Sequence, residues 1–204
     1  MLIKIFPTSI NLKLVSQVAD KLREDGVIVI PTDTVYALAC SIKNAKAFER
    51  VCRIKNVKPQ KAQFSFACYD LSDISQYTKP FSREVFRLMK NHLPGPFTFI
   101  LNASSMVPTV FRSNKKTIGI RVPENEITRT IIKELGNPVM VTSIHNEDHL
   151  IDYQSDPDMI EELFGSQVDM VIDGGFSELI PSTIVDCTGE KPVVVREGKG
   201  KLVD

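Results

Sequence analysis

Pro31-Thr32-Asp33-Thr34-Val35-Tyr36 sets two hydroxyls, a carboxylate and a phenol in a row, directly after the apolar run Val27–Ile30. A buried strand that stops at proline would deliver these groups to the end of a sheet, where ligands of open α/β folds sit. Hydroxyls and backbone N–H groups there suit a zwitterion or a phosphate. The competing reading is a capped turn in which Asp33 bonds its local backbone. Arg121 and Arg196 each end an apolar strand, in TIGIRVP and PVVVREGKG. A guanidinium so placed is a fork for phosphate or carboxylate, and equally a partner in a structural ion pair.

A second group is cationic. Lys43, Lys46, Arg50, Arg53, Lys55, Lys58 and Lys61 stand against one acid, Glu49, for a local charge of +6. On a helix Lys46, Arg50 and Arg53 share a face at i, i+4, i+7. Such a cluster is usually a solvated face; it is also the footprint of a triphosphate or nucleic-acid site. From Glu147 to Glu178 there are ten acids and no Lys or Arg, so the formal net charge of zero is a cancellation between segments. It excludes a uniformly basic nucleic-acid coat and leaves a local polyanion site open.

Other chemistries are excluded. No P-loop, no G-x-G-x-x-G after a strand and no G-x-S-x-G occurs, which removes the phosphate loop, the dinucleotide fingerprint and the serine-hydrolase elbow. His145 and His149 in HNEDH resemble an H-x-x-E-H zinc pattern. Without helical periodicity or a third ligand they read as polar loop residues, and no metal site is expected.

The elements that must position these groups follow from apolar periodicity. Strands are expected at Leu2–Phe6, Val27–Ile30, Phe64–Cys68, Phe97–Asn102, Thr117–Val122, Val139–Thr142, Val168–Asp173, Thr183–Cys187 and Pro192–Arg196. Helices are expected to start at the caps Asn11, Asn44, Ser82, Asn125 and Asp156. Nine strands interleaved with five helices, and no linker or repeat, predict one α/β domain over residues 1–204, a twisted open mixed sheet with flanking helices. At 43% hydrophobic and 25% charged residues the chain is an ordinary globular one, not disordered, collagenous or coiled coil. Its four cysteines form no C-x-x-C and read as reduced core residues. No signal-like or membrane-length apolar run appears, so a cytoplasmic protein without membrane association is expected.

Taken in order, VIVIPTDTVYAL, IKNVKPQKAQFSFA, LPGPFTFIL, TIGIRVP, VTSIHN, PSTIVD and PVVVREGKG resemble the YrdC-like domain family over nearly the whole chain. The resemblance implies a YrdC-like fold with a concave, positively lined cavity. It implies the activity of a threonylcarbamoyl-AMP synthase, which turns L-threonine, bicarbonate and ATP into threonylcarbamoyl-AMP and pyrophosphate for a tRNA modification. Mg²⁺ with the nucleotide, and binding of double-stranded RNA or tRNA, are implied as well. Carried over by position, Thr32, Thr34 and Tyr36 would form the threonine-side pocket, and Lys55 and Lys61 the catalytic lysines. Thr117, Arg121, Ser143, Ser182 and Arg196 would contact substrate and nucleotide. Lys46, Arg50, Arg53 and Lys58 are the expected RNA contacts.

Three positions depart from the pattern. Val57 stands where the K-x-R arginine belongs, His145 where the S-x-N asparagine belongs, and Ala37 within Tyr-Gly-Leu. An arginine missing from developing phosphate charge costs several kcal/mol of transition-state stabilisation. The pattern is most similar to the YciO branch of the family. Two outcomes follow as expectations: weak adenylation, or nucleotide and double-stranded RNA binding without efficient catalysis.

Overall fold

Four of the five helix caps written into the sequence bond the helix that follows them. The Asn11 side chain accepts N–H bonds from Lys13 and Leu14, opening α1 (Leu12–Arg23). Ser82 does the same for α4 (Arg83–His92), Asn125 for α5 (Glu126–Leu135) and Asp156 for α6 (Pro157–Phe164). Asn44 precedes α2 (Ala45–Ile54) without bonding it. Its amide donates instead to the Leu22 and Arg23 carbonyls, closing the end of α1.

The computed structural model describes residues 1–62, 64–111, 116–144 and 155–203. Among them ten strands form one sheet: β1 (Leu2–Lys4), β2 (Val27–Ile30), β3 (Ala37–Ser41), β4 (Ser65–Ala67), β5 (Phe97–Asn102), β6 (Thr117–Arg121), β7 (Val139–Ser143), β8 (Met170–Asp173), β9 (Thr183–Asp186) and β10 (Val193–Arg196). Their spatial order is β1-β8-β2-β3-β7-β4-β6-β5-β9-β10, with parallel and antiparallel neighbours mixed. A short helix, α3 (Ile74–Tyr77), completes the set.

β3 was not expected. Its residues, Ala-Leu-Ala-Cys-Ser, are all buried between β2 and β7, so neither alternation nor β-branching marks them. Its presence changes the geometry of the Pro31–Tyr36 segment. Ile30 pairs antiparallel with Ala37, so the segment is the loop of a strand pair rather than a strand-to-helix turn.

Two apolar layers sandwich the sheet. Val27, Val29, Leu38, Cys40, Phe66, Phe99 and Ile120 pack on one face with Phe48 and Val51 of α2 and Val85 and Met89 of α4. On the other, α1 and α5 cover Ile28, Ile30, Ala37, Ala39, Val139 and Val141. That second layer reaches only as far as Ala67 of β4. The face beyond it is where the site lies.

Candidate functional site

Strand alternation decides what this uncovered face carries. On β5 the core takes Phe97, Phe99 and Leu101, and on β6 Ile118 and Ile120. The residues between them, Thr98 and Ile100 on β5 and Thr117, Gly119 and Arg121 on β6, therefore point to the opposite face. Ser65 belongs there too: a Cβ on Gly119 would stand 2.5 Å from the Ser65 hydroxyl and 3.2 Å from Thr98 Cγ2. Thr98 Oγ1 lies 2.9 Å from Ser182 Oγ, next along the face at the head of β9. Ser143 ends β7 opposite Ala37, the residue after Tyr36. The result is a half-open, largely polar surface of hydroxyls around Gly119, with Ile100 as its apolar member.

Two guanidiniums border it. Arg196 donates to the Ser182 carbonyl from Nη2 (2.7 Å) and Nε (3.3 Å), and to Ser182 Oγ at 3.3 Å. Burial first, and then the positive charge of Arg121, pull Arg196 below its ordinary pKa, so the two cations feel one another. Arg121 is buried and points at the Pro31–Tyr36 loop, where Nη2 donates to Asp33 Oδ1 at 2.6 Å and to Thr34 Oγ1 at 3.3 Å. Burial also lowers the Arg121 pKa, against the opposing pull of Asp33. Asp33 Oδ2 and Arg121 Nε are buried without hydrogen-bond partners among the described residues.

Within the loop the hydroxyls are largely occupied. Thr32 Oγ1 donates to the Val35 carbonyl at 2.7 Å and accepts the Thr34 N–H at 3.1 Å. With that proton committed, Thr34 must be the donor in the 3.0 Å contact between the two hydroxyls. Tyr36 does not face the open surface. Its ring is fully buried, and its hydroxyl donates to the Gly175 carbonyl (2.7 Å) and accepts the Gly174 N–H (3.1 Å). Burial raises its pKa strongly. Gly175 adopts φ +93° to make this turn, a conformation that favours glycine. Tyr36 and the two threonines therefore shape the loop rather than line it.

Two side chains here escaped the sequence reading. Thr98 bridges to Ser182, as above. Lys199 reaches the Asp33 carbonyl at 2.8 Å and Glu178 at 3.3 Å, pinning the loop from outside. The only sequence signal for Lys199 was the alternating glycine on either side. A Cβ on Gly198 would meet the Pro181 carbonyl, and one on Gly200 would meet the Phe97 ring, so the segment needs both glycines to lie this close.

The basic run is split by the structure. Arg50, expected to touch RNA, instead bonds Asp169 at 2.6 Å and the Gln167 carbonyl at 2.7 Å. Asp169 in turn accepts the Val27 N–H. Arg50 thus joins the basic segment to the acidic one and braces the start of β2; it is a structural residue. Lys46, Arg53, Lys58 and Lys61 are exposed, with no ion pair among the described residues. Lys55 caps α2, half-buried. Lys61 ends a 3₁₀ turn four residues before Ser65, at the sheet end where β6 begins with Thr117 and β7 finishes with Ser143. His145 and His149 lie outside the described residues, and among the described ones no group of three His, Cys, Asp or Glu side chains could hold a metal ion.

The comparisons with known proteins fit this geometry. The family model for Sua5, YciO and YrdC, described as telomere recombination, matches residues 20–198. YciO of Escherichia coli K12 is 41% identical over 199 residues, covering 97% of this chain and 95% of YciO. The crystal structure of E. coli YciO superposes with a TM-score of 0.91 over 98% of this chain and 97% of that one. Sua5 of Pyrococcus abyssi, solved with L-threonine, gives a TM-score of 0.87 at 25% identity, covering 97% of this chain and 57% of Sua5. Threonylcarbamoyl-AMP synthase of Bacillus subtilis is 28% identical over 93% of this chain and 55% of its own length. By fold and sequence alike, the chain belongs to the Sua5/YciO/YrdC family.

Proposed function

We propose that the open face binds ATP beside an amino acid and joins them as a threonylcarbamoyl-AMP synthase does. The L-threonine nitrogen bonds the carbon of bicarbonate, a C–O bond breaks with loss of water, and a carbamate results. A carbamate oxygen then attacks the α-phosphate of ATP, and pyrophosphate leaves. The observation that carries this reading is the convergence of Arg121 and Arg196 on a face of hydroxyls, with Asp33 as the one carboxylate bonded to either. Adenylyl transfer of this kind needs placement and charge neutralisation, not a side-chain nucleophile. In this reading Arg121 and Arg196 hold the anionic groups, and Thr98, Ser143 and Ser182 orient them. Lys55 and Lys61 add cations at the rim, where pyrophosphate departs. Magnesium arrives with the triphosphate, whose own oxygens hold it. The homologous Sua5 solved with L-threonine supports the amino-acid half of the site. Four free buried thiols suit a reducing, cytoplasmic setting.

Pyrophosphate release that requires both L-threonine and bicarbonate is the expected result; none at high protein concentration would end the reading. A second reading, nucleotide or double-stranded RNA binding without efficient turnover, is favoured by Val57 at the K-x-R arginine position and by the exposed Lys46, Arg53 and Lys58. It predicts RNA retention that falls steeply with salt and weakens when those three cations become alanine. Salt-insensitive retention would refute it. Val57→Arg separates the two, since it should raise turnover only where the adenylation geometry exists.

A further inference from the structure

The Asp33–Arg121 pair is incomplete for a permanent structural bridge. An arginine and a carboxylate settle most favourably as a fork, two nitrogens on two oxygens. Here a single nitrogen, Nη2, meets a single oxygen, Oδ1, and Nη2 is shared with Thr34. The other carboxylate oxygen and Nε are both buried with no hydrogen-bond partner among the described residues. Each unpartnered buried atom carries a desolvation penalty, so the pair is poised to rearrange. Its surroundings say which part moves. The backbone of residue 33 is pinned by Lys199 on its carbonyl, and its neighbours are tied by the Thr32 and Thr34 hydroxyls. Only the Asp33 side chain is held by the ion pair alone.

The charges point the same way. Arg121 and Arg196 are within electrostatic reach of one another, and among the described residues Arg196 rests on neutral Ser182 groups without a carboxylate. With Asp33 in place the two arginines carry one net positive charge; with it withdrawn they carry two. A buried guanidinium left without any counter-charge is strongly unfavourable, so Arg121 needs Asp33 whenever no other anion faces it. An oxyanion arriving while Asp33 stays would meet its repulsion.

We propose that Asp33 is a resident counter-anion which an incoming phosphate or carboxylate group displaces from Arg121, and that it thereby sets the affinity of this face for oxyanions. This rests on the reading that the face binds an oxyanion, and not on turnover. The device makes entry and release an exchange of anions at one guanidinium.

The test titrates inorganic pyrophosphate and, separately, L-threonine into the wild-type chain and Asp33→Asn by calorimetry. Asparagine keeps the shape and one acceptor for Nη2 while removing the competing charge. Removing a like charge beside a bound anion predicts about tenfold tighter binding. The gain appears with pyrophosphate if phosphate displaces Asp33, and with L-threonine if a carboxylate does. Unchanged or weaker binding of both overturns the proposal, because a fixed orienting role for Asp33 would lose affinity on substitution. Should the variant fail to fold, the side-chain carboxyl ¹³C resonance of Asp33 in the wild-type chain gives the answer. It moves on saturation with the displacing ligand, and a resonance that stays put while the ligand binds overturns the proposal. Pyrophosphate binding without adenylation would end the catalytic reading and leave the Asp33 result to stand on its own.

Discussion

Replacing Arg50 with alanine separates the two roles open to the basic run. Its guanidinium makes two charge-assisted bonds, to Asp169 at 2.6 Å and to the Gln167 carbonyl at 2.7 Å, with about a third of each charged side chain exposed. Buried bonds of this kind are worth about 1.5–3 kcal/mol each, and partial exposure discounts them toward the surface range of about 1 kcal/mol. Asp169 keeps the Val27 N–H, so the loss is the two Arg50 bonds and no more. Together they amount to about 1.5–2 kcal/mol, or a fall in Tm of roughly 3–8 °C for a chain of this size. Urea denaturation gives the free energy directly, with an unchanged slope if only stability is altered. Lys46→Ala and Arg53→Ala, at exposed sites without ion pairs, should stay within about 0.5 kcal/mol of wild type. If Arg50→Ala is as stable as wild type and instead loses RNA, the bracing role assigned to Arg50 is wrong.

Gly119→Ala should destabilise by about 1–3 kcal/mol through overpacking, since its Cβ would sit 2.5 Å from Ser65 Oγ; adding Ser65→Ala should recover part of that loss, and failure to recover any would contradict the packing. Tyr36→Phe removes a hydroxyl that serves two backbone groups and should cost about 1–3 kcal/mol in chemical denaturation. Burial holds the Tyr36 phenol protonated above the ordinary value of 10.0, so the unfolded chain releases this proton first. Its contribution to stability is therefore present below pH 10 and is lost as pH climbs; greater stability at alkaline pH would have the wrong sign. Burial pushes Cys52 up to about 11 and Cys187 to about 12, with Cys40 and Cys68 higher still. A thiol reagent at pH 8 should therefore modify none of the four before unfolding, and a rapid single equivalent would contradict their placement.

Runs such as Val27–Ile30 and Thr117–Arg121 were legible as strands because their branched residues match their buried positions. Ala37–Ser41 was not, because small residues buried on both faces leave no periodic signal. The site divides along a similar line. Arg121 and Arg196 could be picked out as guanidiniums at strand ends, and Ser182 only through the family resemblance; Arg196 does bond Ser182. Their partners could not. Asp33 lies 88 residues from Arg121, and Arg50 lies 119 from Asp169; such pairings exist only once the sheet order is known. Local spacing likewise put Lys46, Arg50 and Arg53 on one helix face correctly, while only the tertiary fold shows that the middle one is spent on structure.

The central claim is that the uncovered face between Ala67 and Arg196 is the ligand site. A crystal structure with a non-hydrolysable ATP analogue and L-threonine tests it most directly. The account predicts phosphate density against Arg121 and Arg196, near Ser182 and Thr98, with the Pro31–Tyr36 loop at its edge. Density lodged instead along Lys43–Lys61, or on the face covered by α2 and α4, would contradict it.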